Sequence, residues 1–151
     1  PAETTNSIGL SEYAYGTGKV IFCALPLASD FWNRGNPGAK YVLQAMVRNA
    51  TAEFSVSRVG PTCVTVRKAC KDNRTVVHLA AFQPDHRPTG VKSVESPAEI
   101  RGVKVFLRDD RSPSAIRAVP TGEDVPWTLT NRTIEIQAPP FSIHTALLVE
   151  W

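Results

Sequence analysis

The chain has 151 residues, 42% of them hydrophobic and 21% charged, which suits one domain, or one domain plus a fragment of another, and is too apolar for a disordered chain. The net charge is +3, but basic and acidic residues are interspersed, as in Arg67, Lys68, Lys71, Asp72, Arg74 and again in Arg108, Asp109, Asp110, Arg111. Nucleic-acid binding needs clustered cations that displace counterions from many phosphates, so a solvated mixed surface is the better reading and no nucleic-acid partner is expected.

No apolar run is long enough to cross a bilayer, so no membrane partner is expected. Pro1 to Ser7 carry neither a basic n-region nor an apolar h-region, and no signal peptide is read there. Residues 1–16 show no clear period and read as a loop. Gly18-Lys19-Val20-Ile21-Phe22-Cys23-Ala24-Leu25 is a short apolar run ending at Pro26, the pattern of a strand buried on both faces, as in a parallel sheet. A loop is expected from Pro26 to Asn36, with Phe31 and Trp32 at its centre and Arg34 beside them. A helix follows: Asn36 is placed to cap it, Pro37 suits its first position, and Ala39, Val42, Leu43, Met46, Val47 and Ala50 recur at the spacing of one buried face.

After Thr51 the period falls to two. Phe54 to Ser57 alternates, Cys63 to Ala69 alternates, and Lys71-Asp72-Asn73-Arg74 separates that strand from Thr75 to Phe82 in a hairpin. A polar, proline-bearing connection runs from Gln83 to Ile100. Strands are expected again at Val103–Leu107, Ala115–Val119, Trp127–Leu129, Thr133–Gln137 and Ile143–Trp151, with Ile143, Leu147, Val149 and Trp151 mostly in the core. Short strands at intervals of about ten residues point to a sandwich of two antiparallel sheets. The fold class is therefore mainly β: an antiparallel β-sandwich (residues 53–151) preceded by a strand-loop-helix remnant of an α/β domain (residues 1–52). A strand-loop-helix unit cannot bury its own faces, so the expected context is the tail end of a larger protein.

The pieces Gly18 to Phe22, Asp30-Phe31-Trp32-Asn33-Arg34-Gly35-Asn36-Pro37 and the helix after them resemble the end of a glutamine-amidotransferase-like domain. Such a domain supports trimerisation in glycoside hydrolases of the family-42 β-galactosidase type and occurs in related glycosyl hydrolases. Asn73 to Leu79 and the ending Pro140-Phe141-Ser142-Ile143-His144 to Trp151 look like the β-sandwich that closes those proteins. The resemblance implies an accessory, non-catalytic C-terminal region whose partners are preceding domains of the parent or another subunit. In that family the catalytic carboxylates lie on a barrel with no counterpart here, so no catalytic residue is carried over.

The residues themselves agree with that restraint. Glycoside hydrolysis needs two carboxylates about 5–10 Å apart, and Glu53, Asp85, Glu95, Glu99, Asp109, Asp110, Glu123, Asp124, Glu135 and Glu150 sit in turns or beside polar neighbours. There is no G-x-S-x-G elbow. His78, His86 and His144 show no metal-ligand spacing, so neither metal nor cofactor is expected. His78 reads as a core or cross-strand histidine, and His86 follows Asp85 in the long loop. Cys63 and Cys70 flank one strand and are too far apart to pair, which favours free thiols and a reducing, cytoplasmic compartment. The three N-x-S/T sequons, at Asn49, Asn73 and Asn131, read as coincidence. Carbohydrate remains a candidate ligand, because sugars stack on exposed rings. Phe31, Trp32, Arg34, Trp127 and His86 are the candidate carbohydrate or interface contacts, with interface or core packing the plainer role for the two tryptophans. Three readings stay open: an accessory domain, a carbohydrate-binding module, and a small stand-alone hydrolase.

Overall fold

A computed structural model describes residues 9–50, 54–83, 94 and 96–151. The chain divides into two compact units, Pro1–Glu53 and Phe54–Trp151. It is mainly β, an antiparallel sandwich preceded by a small unit of strands and helices.

The first unit departs from the expected detail in three places. β1 (Leu10–Tyr15) occupies what reads as loop and pairs antiparallel with β2 (Gly18–Cys23), Tyr15 opposite Gly18. The turn needs Gly16 at φ 58°, a left-handed conformation that glycine adopts without steric cost. β2 is thus no interior strand of a parallel sheet: it is half of a two-stranded hairpin, and none of its residues is fully buried. The segment expected as a loop is instead α1 (Leu27–Arg34), stopped by Gly35, whose left-handed backbone lets its N–H bond the Phe31 carbonyl at 3.0 Å. Asp30 and Arg34, four residues apart, pair at 3.3 Å along it.

α2 (Pro37–Ala50) starts as the sequence requires. Asn36 Oδ1 accepts from the Gly38 N–H at 2.9 Å, satisfying a first-turn donor that the helix cannot. Its apolar stripe is only partly covered: Ala39 is buried, Leu43 and Met46 are half-buried, and Val42 and Val47 are exposed.

The second unit consists of two four-stranded sheets. One orders β4 (Val64–Lys71), β5 (Arg74–Ala81), β10 (His144–Glu150) and β7 (Ala115–Val119); the other orders β3 (Val56–Val59), β6 (Lys104–Arg108), β9 (Thr133–Gln137) and β8 (Trp127–Thr130). All pairings are antiparallel. The β4–β5 and β8–β9 hairpins stay within a sheet, and the other connections cross between sheets. Both hairpins have two-residue turns with left-handed residues, Asp72 (φ 54°) in one and Asn131 and Arg132 (φ 47° and 65°) in the other.

The core lies between the sheets. Val77 and Leu79 from β5, Leu147 and Val149 from β10, and Val105, Leu107, Ile134 and Ile136 from the facing sheet are wholly withdrawn from solvent. Trp151 packs half-buried against them, and Thr145 is buried on the same face. Ile143 is the exception to the expected alternation: it is 57% exposed just ahead of β10, which begins at His144, although its carbonyl accepts the Ala81 N–H at 2.8 Å. The thiols of Cys23, Cys63 and Cys70 are all free.

Candidate functional site

In the first unit, β1 and β2 present two different faces. Leu10, Glu12, Ile21 and Lys19 share one, and a cavity of about 460 Å³ lies between that face and α2, lined also by Val42, Met46 and Asn49. A polar tie closes one side of it. Lys19 Nζ donates to Glu12 Oε1 at 2.9 Å and to Asn49 Oδ1 at 3.1 Å, and Asn49 Nδ2 donates back to Glu12. The Lys19 ammonium, helped by the Asn49 amide, holds the Glu12 carboxyl below the usual carboxylate range. The opposite face of the hairpin carries Ser11, Tyr13, Tyr15, Val20 and Phe22; its three aromatic rings are exposed.

Three of the sequence-derived candidates come together on α1. Trp32 stands out from it at 82% exposure, Phe31 is 38% exposed beside it, and Arg34, about one turn on from Phe31, engages Asp30. A bare indole can stack on an apolar sugar face or fill a pocket in a protein partner. Trp127 belongs to the other unit, where β8 holds its ring half-buried against the core. His86, like Asp85, lies outside the described residues.

Two clusters in the sandwich are absent from that candidate set. The first gathers at one end of the core. Arg111 forks onto Asp109, Nε to Oδ1 at 2.9 Å and Nη2 to Oδ2 at 3.2 Å, while its Nη1 reaches Asn73 Oδ1 at 3.1 Å. Its guanidinium lies 4.1 Å from the centre of the Trp151 ring, and Trp151 Nε1 donates to the buried Thr75 hydroxyl at 3.1 Å. The hydrogen bond from Arg111, with Lys68 Nζ adding charge at 3.8 Å, pulls the Asp109 carboxyl below its ordinary value and raises Arg111 in return. Asp109 and Asp110 together line a cavity of about 300 Å³, and Asp110 is paired with Arg132. A glycosidase acid needs its pKa raised so that it holds a proton near neutrality. Asp109 is pushed the other way and so does not fit that role; its contacts are ion pairs, with Arg111 in its own loop and with Lys68 on β4 of the facing sheet.

The second cluster is on the outer face of the β4-β5-β10-β7 sheet. His78 and His144, 66 residues apart in the chain, place Nδ1 and Nε2 3.2 Å from each other, with rings stacked at a centroid distance of 5.5 Å and 27° between planes. Nothing in local spacing foretells this meeting; only the register of β5 on β10 creates it. Among the described residues no group of three or more His, Cys, Asp or Glu side chains lies together, and no helix is long and apolar enough to cross a membrane.

No family model matches this chain, and no curated protein sequence matches it. Its fold does match a solved structure, α-L-fucosidase isoenzyme 2 from Paenibacillus thiaminolyticus, with a TM-score of 0.82 and 17% sequence identity. The match covers 99% of this chain and 23% of the fucosidase chain, so this chain spans about a quarter of that enzyme's length. At this identity the likeness is one of fold, and the fold is one that also occurs within a glycoside hydrolase.

Proposed function

We propose that this chain is a non-catalytic accessory region of a longer glycoside-hydrolase-like protein, in which residues 1–52 end an α/β, amidotransferase-like domain and residues 53–151 form a terminal sandwich. Its role is packing against other domains of the parent or against another subunit. The observation that carries this reading is the bare outer face of the β1–β2 hairpin. A sheet covered by helices on one side only leaves an unfinished layer, and Tyr13, Tyr15 and Phe22 on the open side, with Trp32 on α1, form apolar surface that a finished domain would cover. The share of the fucosidase chain that the match covers supports a position as one region of a larger enzyme. The motif resemblance to family-42 β-galactosidases favours that relationship for the parent. Self-association of the isolated chain, measured by its mass in solution, tests the reading.

A second reading, carbohydrate binding, has one specific observation in its favour: the near-complete exposure of Trp32 with Phe31 beside it. It predicts glycan binding that falls at least about tenfold in Trp32→Ala, which corresponds to roughly 1.4 kcal/mol. A glycan array with no binder, or a binder indifferent to that substitution, rejects it.

A further inference from the structure

We infer that His78 and His144 form a two-ligand binding site for a divalent transition cation of the zinc and copper class, independent of the accessory role argued above. Register places them on one face: His144 lies opposite Ala80 and His78 opposite Ala146, so each ring stands across from an alanine that leaves it room. Both residues are exposed, and both strands are interior to their sheet, flanked by β4 and β7. The backbone that carries the rings is therefore held on both sides, and the donors are positioned before any ion arrives.

The distance fits the chemistry. Two imidazole nitrogens each about 2.0–2.1 Å from one ion are about 2.9 Å apart when they subtend a right angle and about 3.4 Å apart at the tetrahedral angle. The observed 3.2 Å falls between. The same separation suits an N–H···N hydrogen bond, so in the free protein one ring donates to the other. Binding an ion through His78 Nδ1 and His144 Nε2 needs only that the His78 proton sit on Nε2 and the His144 proton on Nδ1. The ion then takes one lone pair from each ring, and water fills the remaining positions. Neutral imidazole suits Zn²⁺, Ni²⁺ and Cu²⁺, whereas Mg²⁺ and Ca²⁺ prefer oxygen ligands. Across β4, Arg67 is the register partner of His78; its positive charge opposes the ion and keeps the site weaker than a three-ligand centre.

Calorimetric titration of the full chain with ZnCl₂, CuCl₂ and MgCl₂ tests this. One Zn²⁺ or Cu²⁺ per chain is expected, with no heat from Mg²⁺. His78→Ala and His144→Ala each weaken binding at least about tenfold, and the double variant shows no saturable binding. Both side chains are exposed, so the variants keep the fold, which circular dichroism verifies. No saturable Zn²⁺ or Cu²⁺ binding overturns the assignment. So does binding that survives both substitutions, which would place the ion on the thiols or on His86.

Discussion

At the scale of single residues, Asp109 and Arg111 have the best-defined electrostatics in the molecule. Asp109 has little exposed surface and takes a two-pronged bond from Arg111, which itself lies over Trp151. A carboxyl whose folded pKa is depressed contributes stability that is fully present above its unfolded value of about 3.9 and is lost as pH falls through the lower folded value. Asp109→Asn is therefore expected to cost about 1–2 kcal/mol at pH 7, with the difference from the parent shrinking as pH falls below about 3.9 and through the lower folded value. Urea melts across pH 2–7 measure it, and a cost independent of pH would show that packing and not charge holds the cluster. The sequence displays Arg108-Asp109-Asp110-Arg111 as mixed charge, with no sign that one acid in the run is shielded. That difference arises from Trp151 and Thr75, distant in the chain, which only the folded sheets bring near.

At the scale of elements, the strands of the sandwich were legible because each states its own period and its own stops. Thr133–Gln137 and Ala115–Val119 have the bounds that alternation implies. β1 was not, since Leu10 to Tyr15 is polar at Ser11 and Glu12; the signal was Tyr13 and Tyr15 two apart, ahead of a Gly16-Thr17-Gly18 turn. α1 was hidden by its brevity and by the run Asp30-Phe31-Trp32-Asn33, rich in weak helix formers. Alternation on β10 also makes a quantitative statement. Leu147 is fully buried between the sheets, so Leu147→Ala is expected to cost about 2–5 kcal/mol through lost burial and the cavity left. Ile143, just ahead of β10, is more than half in solvent, so Ile143→Ala is expected to change stability by less than about 0.5 kcal/mol. Equal costs in thermal or denaturant melts would mean the register of β10 is wrong.

At the scale of the whole molecule, the two units differ in how well they satisfy themselves. The sandwich closes over a continuous apolar core and leaves its outer faces largely polar. The first unit has a hairpin with a helix against one face and aromatic rings on the other, one fully buried side chain among its described helices, and Trp32 projecting from α1. A small domain in that condition stabilises poorly alone and seeks a cover. This imbalance was readable in the sequence as a mismatch of architectures, although the hairpin that embodies it was not. The most direct test of the accessory-region account is sedimentation of the isolated chain over a hundredfold range of concentration, with hydrophobic-dye binding alongside. The account predicts species heavier than the 16.5 kDa chain and dye binding, both reduced by Phe22→Ser together with Trp32→Gln. A single 16.5 kDa species at every concentration, with no dye bound, would contradict it.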